Sequence, residues 1–511
     1  MSKKLLKSTA MVGGLTFISR ILGFIRDVVI AFVFGAGAST DAFFIAFKIP
    51  NFMRRLFAEG AFSQAFIPIL SEYKTKRNKA EVKHLVDHVA GHLGSILLLV
   101  TIICIVIAPL LVLIFAPGFL HEQEKFDLTV AMLKITFPYL LFMALIAFSG
   151  AILNTYGKFA VPAFTPVLMN VCMIGAAMWF APYFEQPVVA LAWGVFVAGI
   201  VQLLFQLPFL YRLGLLPIPR VRRHDEGVKR VYYLMIPALF GVSVSQINLL
   251  IDSLMASFLV TGSISWLYYS DRLMEFPLAI FGIALATVML PDLSKSVARG
   301  DMQNYNKTLD WALRWVFLIA TPSMLGLIML AGPILATLFH HGEFGDNDVM
   351  MSARSLIAYA FGLLGFVLIK VLASGYFSRQ DTRTPVKIAV VAMITNMVLN
   401  LIFIWHLAHA GLALATSLAA LLNAALLYRG LRKQGVFNLQ PGWRNFLLRI
   451  SLAGVCMVLL LWWGSGTLSD WLNMEILERA LHLFGWIIAG IVVYFGSLMV
   501  IGFRLHHVSL K

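Results

Sequence analysis

The chain is built of apolar stretches about 20 residues long, each ended by a polar or charged turn. That is the length a helix needs to cross a bilayer core at 1.5 Å rise per residue. About fourteen such stretches can be placed, near residues 10–34, 40–58, 85–116, 128–154, 160–182, 187–211, 231–260, 264–291, 310–338, 353–378, 385–405, 410–429, 447–466 and 480–503. The second is the least typical, because it holds Lys48, Pro50, Arg54, Arg55 and Glu59 and runs into the amphipathic FSQAFIPILSEY. With 60% hydrophobic residues, the chain lacks the polar outer faces of a water-soluble fold. The expected class is an all-α polytopic membrane protein.

The turns give orientation. MSKKLLK, YKTKRNKAEVK, PRVRRHDEGVKR, SKSVARGDMQNYNK, SRQDTRTPVK and YRGLRKQG are basic, and the turns between them are nearly free of Lys and Arg. Basic turns stay on the cytoplasmic side, which predicts that both termini are cytoplasmic. The net charge of +15 resides largely in these turns, so it points to a membrane surface rather than to nucleic acid. The N-terminal MSKKLLKSTAMVGGLTF has the look of a signal peptide, but Arg20 interrupts its apolar region, which favours a retained first span. Cys104, Cys172 and Cys456 lie apart in apolar runs and form neither a disulfide framework nor a metal pair.

An internal repeat is visible. LKITFPYLLFMALIAFSGAILNTYGKFAVPAF (133–164) and ARSLIAYAFGLLGFVLIKVLASGYFSRQDTRTPVKI (353–388) share an order of apolar span, small-residue SG, polar turn, proline and next span. ALAWGVFVAGIVQLLFQLPFLYR (190–212) likewise parallels GLALATSLAALLNAALLYR (411–429). These matches predict two six-helix halves of the same orientation, 1–218 and 219–436, with 437–511 adding two helices outside the repeat. Parallel repeats of this kind are a transporter architecture, with substrate held between the halves.

Ionisable residues inside spans cost about 2.5–3.5 kcal/mol each at the bilayer centre, so they are functional candidates by default. In the first half these are Arg20, Arg26, Asp27, Asp41, Lys48, Arg54, Arg55 and Glu59; in the second, Asp252, Asp271, Arg272, Glu275, Arg354 and Lys370. Plainer readings compete. Arg54 and Arg55 can snorkel to the cytoplasmic face. Arg20 and Asp27, seven positions apart, share a helix face and can form a structural pair. In YYSDRLMEFP (268–277), Asp271 and Glu275 stand one turn apart and can fix Arg272. Several arginines in one chamber suit an anion such as phosphate or pyrophosphate, because the guanidinium fork matches its oxygens. Asp27, Asp41, Asp271 and Glu275 would then neutralise the arginines when substrate is absent.

A second set is Asp252, Asn396, Asn400 and Thr416. One carboxylate with amide and hydroxyl oxygens suits a hard cation such as Na⁺, although polar residues between membrane helices also serve as plain hydrogen-bonding partners. There is no GxxxxGKS or GxxxxGKT phosphate loop, no HExxH zinc motif and no Asp-rich cluster for Mg²⁺-diphosphate. HHGEFG (340–345) reads as an extracytoplasmic turn.

SRILGFIRD, TDAFFIAFKIPNFMRRLFAEGAFSQAFIPILSEY, YYSDRLMEFP, GYFSRQDTRTPVKIA and HHGEFG closely resemble the MurJ (MviN) family of bacterial lipid II flippases, over nearly the whole chain. The resemblance implies membership of the multidrug/oligosaccharidyl-lipid/polysaccharide exporter superfamily and two six-helix lobes in a V around a central cationic cavity. It implies that Arg20, Arg26, Arg54 and Arg272 grip the diphosphate-sugar headgroup, and that the position of Asp41 is functionally sensitive. It places a groove for the undecaprenyl tail on the last two helices. It also puts a Na⁺ pattern on Asp252, Asn396, Asn400 and Thr416, with Asn400 standing where the family's site has a second carboxylate.

The expected activity is transport of lipid II across the bacterial inner membrane for cell-wall synthesis, by alternating access and without bond chemistry. No cofactor is expected beyond Na⁺ or the membrane potential as driving force, and contact with peptidoglycan-synthesis proteins is a further expectation. Competing readings are a flippase for another polyprenyl-pyrophosphate glycan, a drug/cation antiporter, and a membrane enzyme acting on polyprenyl phosphate.

Overall fold

A computed structural model describes residues 3–55, 62–221 and 225–504. Within these residues, twenty α-helices follow in order. In the first part they are α1 (Lys3–Phe34), α2 (Ala38–Arg54), α3 (Ser63–Lys76), α4 (Lys79–Val106), α5 (Ala108–Phe115), α6 (Gln123–Thr136), α7 (Tyr139–Thr155), α8 (Ala160–Gly175), α9 (Val189–Leu213) and α10 (Glu226–Ala256). In the second they are α11 (Ser263–Pro277), α12 (Ala284–Ala298), α13 (Met302–Met329), α14 (Ala331–Phe339), α15 (Asp346–Ala360), α16 (Leu363–Phe377), α17 (Arg383–Lys433), α18 (Trp443–Gly464), α19 (Leu468–Asn473) and α20 (Ile476–Val500). No strand occurs among the described residues. In a bilayer the backbone must satisfy its own hydrogen bonds, and a helix does so within one segment.

Helix starts follow local chemistry. The side chains of Asn78, Asp225, Asp301 and Thr467 accept the backbone N–H of Glu81, Val228, Asn304 and Asp470, capping α4, α10, α13 and α19. Gly214 ends α9 at φ 69°, a conformation that glycine adopts without strain.

Among the described residues, ten helical segments are long and apolar enough to cross a membrane. One of them, α17, has 51 residues, or about 76 Å at the helical rise, against a bilayer core of about 30 Å. It is broken at Ala408 (φ 48°, ψ −128°), between the stretches read from sequence as separate spans. Three more of the expected spans fall on α1, α2 and α10, which between them carry Arg20, Arg26, Asp27, Asp41, Lys48, Arg54 and Asp252. Large apolar side chains face outward along these helices, including Leu99, Ile102 and Val106 on α4 and Trp463, Phe484 and Val492 on α18 and α20. Outward apolar rows are the normal lipid-facing surface of a spanning bundle.

Contacts divide the chain into two compact units, Met1–Gly262 and Ser263–Lys511. In the first, α8 packs on both α1 and α9, α2 on α6, and α10 on α3 and α4. Its aromatic core joins Phe62, Phe66 and Phe148. Gly91 of α4 lies against the backbone of Arg220, where an added Cβ would sit 2.2 Å from the carbonyl oxygen. In the second unit, α16 packs on α17, α11 on α15, and α18 on α20, with α13 joining α18 to α16.

Candidate functional site

In the first unit, α1 carries Arg20, Arg26 and Asp27, and they differ sharply. Arg26 and Asp27 are buried, at 7% and 2% exposure. Arg26 donates to Asp27 Oδ1 from Nε (3.0 Å) and Nη2 (2.7 Å), and from Nη1 to Asn170 Oδ1 on α8 (3.1 Å). Asn170 Nδ2 in turn donates to the Ser19 carbonyl of α1 at 3.0 Å. This network fixes α1 on α8; a Cβ added at Gly23 would make only ordinary contact with Asn170, 3.6 Å from its Nδ2, so the approach does not depend on glycine. Arg20 is exposed and has no hydrogen bond or ion pair among the described residues. A pairing of Arg20 with Asp27 is therefore corrected: the neighbouring Arg26 takes the carboxylate.

Arg54, at the end of α2, donates from Nε to Asn51 Oδ1 at 3.0 Å and is half-buried, while Arg55 caps the helix and is exposed. Glu59 lies outside the described residues. Asp41, in the first turn of α2, is buried at 1% exposure. Its Oδ2 accepts the Gly262 backbone N–H at 2.7 Å and lies 3.4 Å from Lys125 Nζ, itself 4% exposed. Glu122 joins this cluster, 3.6 Å from Lys125 and within hydrogen-bond reach of the Thr261 hydroxyl at 3.1 Å. Asp41 was expected to neutralise an arginine; it instead pairs with a lysine of α6 and ties down the turn after α10. Asp252 lies half-buried on α10 and accepts from Asn248 Nδ2 at 3.3 Å.

In the second unit, Asp271, Arg272 and Glu275 stand on α11. Arg272 Nη1 meets Glu275 Oε2 at 3.1 Å, Nη2 meets the Tyr268 hydroxyl at 3.2 Å, and the guanidinium lies over the Tyr268 ring at 5.0 Å. The Arg272 side chain keeps 35% of its surface exposed, so it is oriented without being covered. Asn396 and Asn400 are buried on α17, and the Thr416 hydroxyl lies 3.4 Å from Asn396 Oδ1. These are neutral oxygen and amide donors, and the only carboxylate of the expected cation set, Asp252, belongs to the other unit. HHGEFG is tied structurally, with His340 2.6 Å from Asp346 Oδ1 and 2.9 Å from Arg479 Nη1.

Three partners escaped the sequence reading: Asn170, Lys125 and Tyr268. Asn170 stood alone in an apolar span, Lys125 lay in one of the turns nearly free of Lys and Arg, and Tyr268 was indistinguishable from packing aromatics.

The comparisons with known proteins agree over the full length. A family model described as "Lipid II flippase MurJ" matches residues 30–482. A probable lipid II flippase MurJ of Vibrio cholerae serotype O1 is 52% identical over 511 residues, covering 99% of this chain and 97% of the relative. A lipid II flippase MurJ of Burkholderia cenocepacia is 43% identical, with 98% of each chain covered. Among solved structures, "Lipid II flippase MurJ, inward closed conformation" is 29% identical with a TM-score of 0.81, covering 96% of this chain and 98% of that one. An inward-facing multidrug resistance MATE family transporter of the MOP superfamily has a TM-score of 0.66 at 14% identity, covering 84% of this chain and 98% of its own, a likeness of fold alone. By the breadth of these matches, the chain belongs to the lipid II flippase MurJ family.

Proposed function

We propose that this protein flips lipid II from the cytoplasmic to the outer leaflet of the bacterial inner membrane, for peptidoglycan synthesis. Its full-length likeness to lipid II flippases carries the reading. The site observation that fits it best is Arg20: an exposed guanidinium with no partner among the described residues, on a helix whose nearby Arg26 and Asp27 are buried against each other. Arginine donates to phosphate oxygens through a bidentate fork, and an exposed one is ready to do so. Arg272, tethered by Glu275 and Tyr268 but still accessible, is its counterpart in the second unit.

The mechanism is alternating access by two lobes in a V around a central cationic cavity. Arg20, Arg54 and Arg272 hold the pyrophosphate, and the prenyl tail lies along α18 and α20. Fourteen spans support this reading. The ten apolar segments gain one where α17 breaks at Ala408 and three from α1, α2 and α10. Both termini then lie in the cytoplasm, as the basic turns require. The repeat boundary at 218/219 and the contact boundary at Gly262 differ by α10, the helix that would connect the lobes. The membrane potential supplies about 2.3 kcal/mol per charge per 100 mV and is the favoured energy source. With Asn400 neutral, a Na⁺ site would rest on Asp252 as its only carboxylate.

The test is complementation. Cells depleted of their own flippase should regain lipid II translocation when this chain is expressed, and not when it carries Arg20→Ala. Translocation that stays absent with the unaltered, correctly inserted chain would sink the reading. Restoration of a different polyprenyl-pyrophosphate glycan alone would favour the rival cargo.

A further inference from the structure

Away from the charged residues considered so far, α4 presents His84, His88 and His92 at four-residue intervals, on one helix face. The first two meet Asp225, the N-cap of α10. The imidazoles of His84 and His88 stack with centroids 3.9 Å apart at 29°. One nitrogen from each histidine and one oxygen of Asp225 all lie within 4.8 Å of one another. His84 Nδ1 is 3.5 Å from Asp225 Oδ2. In a tetrahedral site with zinc–ligand bonds of about 2.0–2.1 Å, neighbouring donor atoms sit about 3.3–3.4 Å apart. The His84–Asp225 separation is already close to that value.

Two of the three donors are oriented from behind. His88 Nδ1 lies 2.8 Å from the His84 carbonyl, which can only accept, so Nδ1 carries the proton and Nε2 is left to coordinate. Asp225 Oδ1 accepts the Val228 N–H at 3.0 Å, which turns Oδ2 toward His84. Beside the cluster, Asp87 accepts the Ile218 N–H at 2.8 Å on its side chain and the Arg220 N–H at 3.1 Å on its carbonyl, and Lys83 pairs with its carboxylate. The connector from α9 is thus held against α4 just before Asp225. His88 is buried and His84 exposed, which leaves an entry side.

We propose that His84, His88 and Asp225 form a binding site for one transition-metal dication, with Zn²⁺ as the best-fitting ion, that clips the N-terminus of α10 to α4. Two imidazoles and one carboxylate select Zn²⁺, Ni²⁺ or Cu²⁺ over Mg²⁺ and Ca²⁺, which take all-oxygen sites. Three protein donors leave a fourth position for water. Because α10 leads to the turn held by Asp41, an occupied site restrains the helix from its other end.

The experiment uses the full-length, tag-free protein in detergent, stripped of metal and titrated with Zn²⁺ against a chromophoric chelator. One Zn²⁺ per chain is expected, undisturbed by excess Mg²⁺. Affinity should fall about tenfold or more in His84→Ala and in His88→Ala and stay unchanged in His92→Ala. Wild-type stoichiometry persisting in the His84→Ala/His88→Ala double variant would overturn the site. Co²⁺ is then added to the unaltered chain, so that a variant's failure to fold decides nothing. Visible bands of four-coordinate Co²⁺ are expected, and their absence overturns the proposal.

Discussion

Asp27 is held by Arg26, its neighbour in sequence, through two hydrogen bonds to one carboxylate oxygen. Removing one partner of a buried pair costs about 3–5 kcal/mol, because the other charge is stranded. Arg26→Ala should therefore lower the melting temperature and the yield of membrane-inserted protein. Arg20→Ala removes an exposed side chain and should leave both unchanged while abolishing lipid II translocation. Thermal unfolding of the purified variants, read beside transport in depleted cells, separates the two. Equal loss of folding in both would show that Arg20 is structural.

Asp41 serves two neighbours at once, the Lys125 ammonium and the Gly262 N–H. Asp41→Asn keeps an acceptor for Gly262 and loses the charge, which Glu122 partly replaces for Lys125. Asp41→Ala loses both contacts. The alanine variant should be less stable than the asparagine variant by about 1–3 kcal/mol, the cost of an unsatisfied buried donor. Denaturation midpoints of the two variants check the order; identical midpoints would mean that the Gly262 contact contributes nothing.

Arg272 offers a test of chemistry rather than of stability. Its pair with Glu275 is half-exposed, and such pairs contribute about 0–1 kcal/mol. Glu275→Gln should thus leave the melting temperature nearly unchanged. Arg272→Lys keeps the charge but loses the planar fork and its stacking on Tyr268, and should impair translocation almost as much as Arg272→Ala. Full activity of the lysine variant would show that charge alone suffices.

The helical class, ten apolar segments of spanning length and the family were legible in the sequence, because bilayer thickness leaves a period that survives reading in one dimension. The expected break between residues 405 and 410 falls on Ala408. Charge partners were not legible. Arg20 and Asp27 satisfied the helical period, yet Arg26 won the carboxylate because the network through Asn170, 144 positions away, closed around it. Lys125, in a turn nearly free of Lys and Arg, is 4% exposed beside Asp41. The histidine triplet of α4 was passed over, since its third donor, Asp225, is distant in sequence.

Acid should loosen one tie between helices. Arg230 of α10 donates to Glu72 of α3 at 2.7 Å, and that hydrogen bond, with the attraction of the guanidinium, holds the Glu72 carboxyl below its usual 4.5. A folded-state value below the unfolded one means that the contribution is present above about pH 4.5 and lost as pH falls through the lowered value. The melting-temperature gap between wild type and Glu72→Gln should hold steady from about pH 8 to 5 and close in stronger acid. A gap that closes already near neutrality would assign the effect to another group.

Within the second unit, Asp310 anchors the start of α18. It is 3% exposed on α13, and its Oδ1 accepts the Trp443 indole N–H at 2.6 Å and the Gln440 backbone N–H at 3.0 Å. Its Oδ2 accepts from Arg314 Nε at 2.8 Å, and Arg314 stacks over Trp443 and Phe446 at 5.5 and 5.6 Å while donating to the Pro441 carbonyl at 3.0 Å. The start of α18 is thus held by one carboxylate and one guanidinium. Asp310→Ala strands Arg314 and leaves the indole N–H unsatisfied, a loss of about 3–5 kcal/mol. Asp310→Asn keeps an acceptor and should lose roughly half as much. If α18 and α20 carry the lipid tail, both variants should also weaken transport of full-length lipid II more than that of a short-chain analogue. Limited proteolysis in the 434–442 segment reads the release of α18 directly, and equal cleavage of wild type and Asp310→Ala would show that the anchor lies elsewhere.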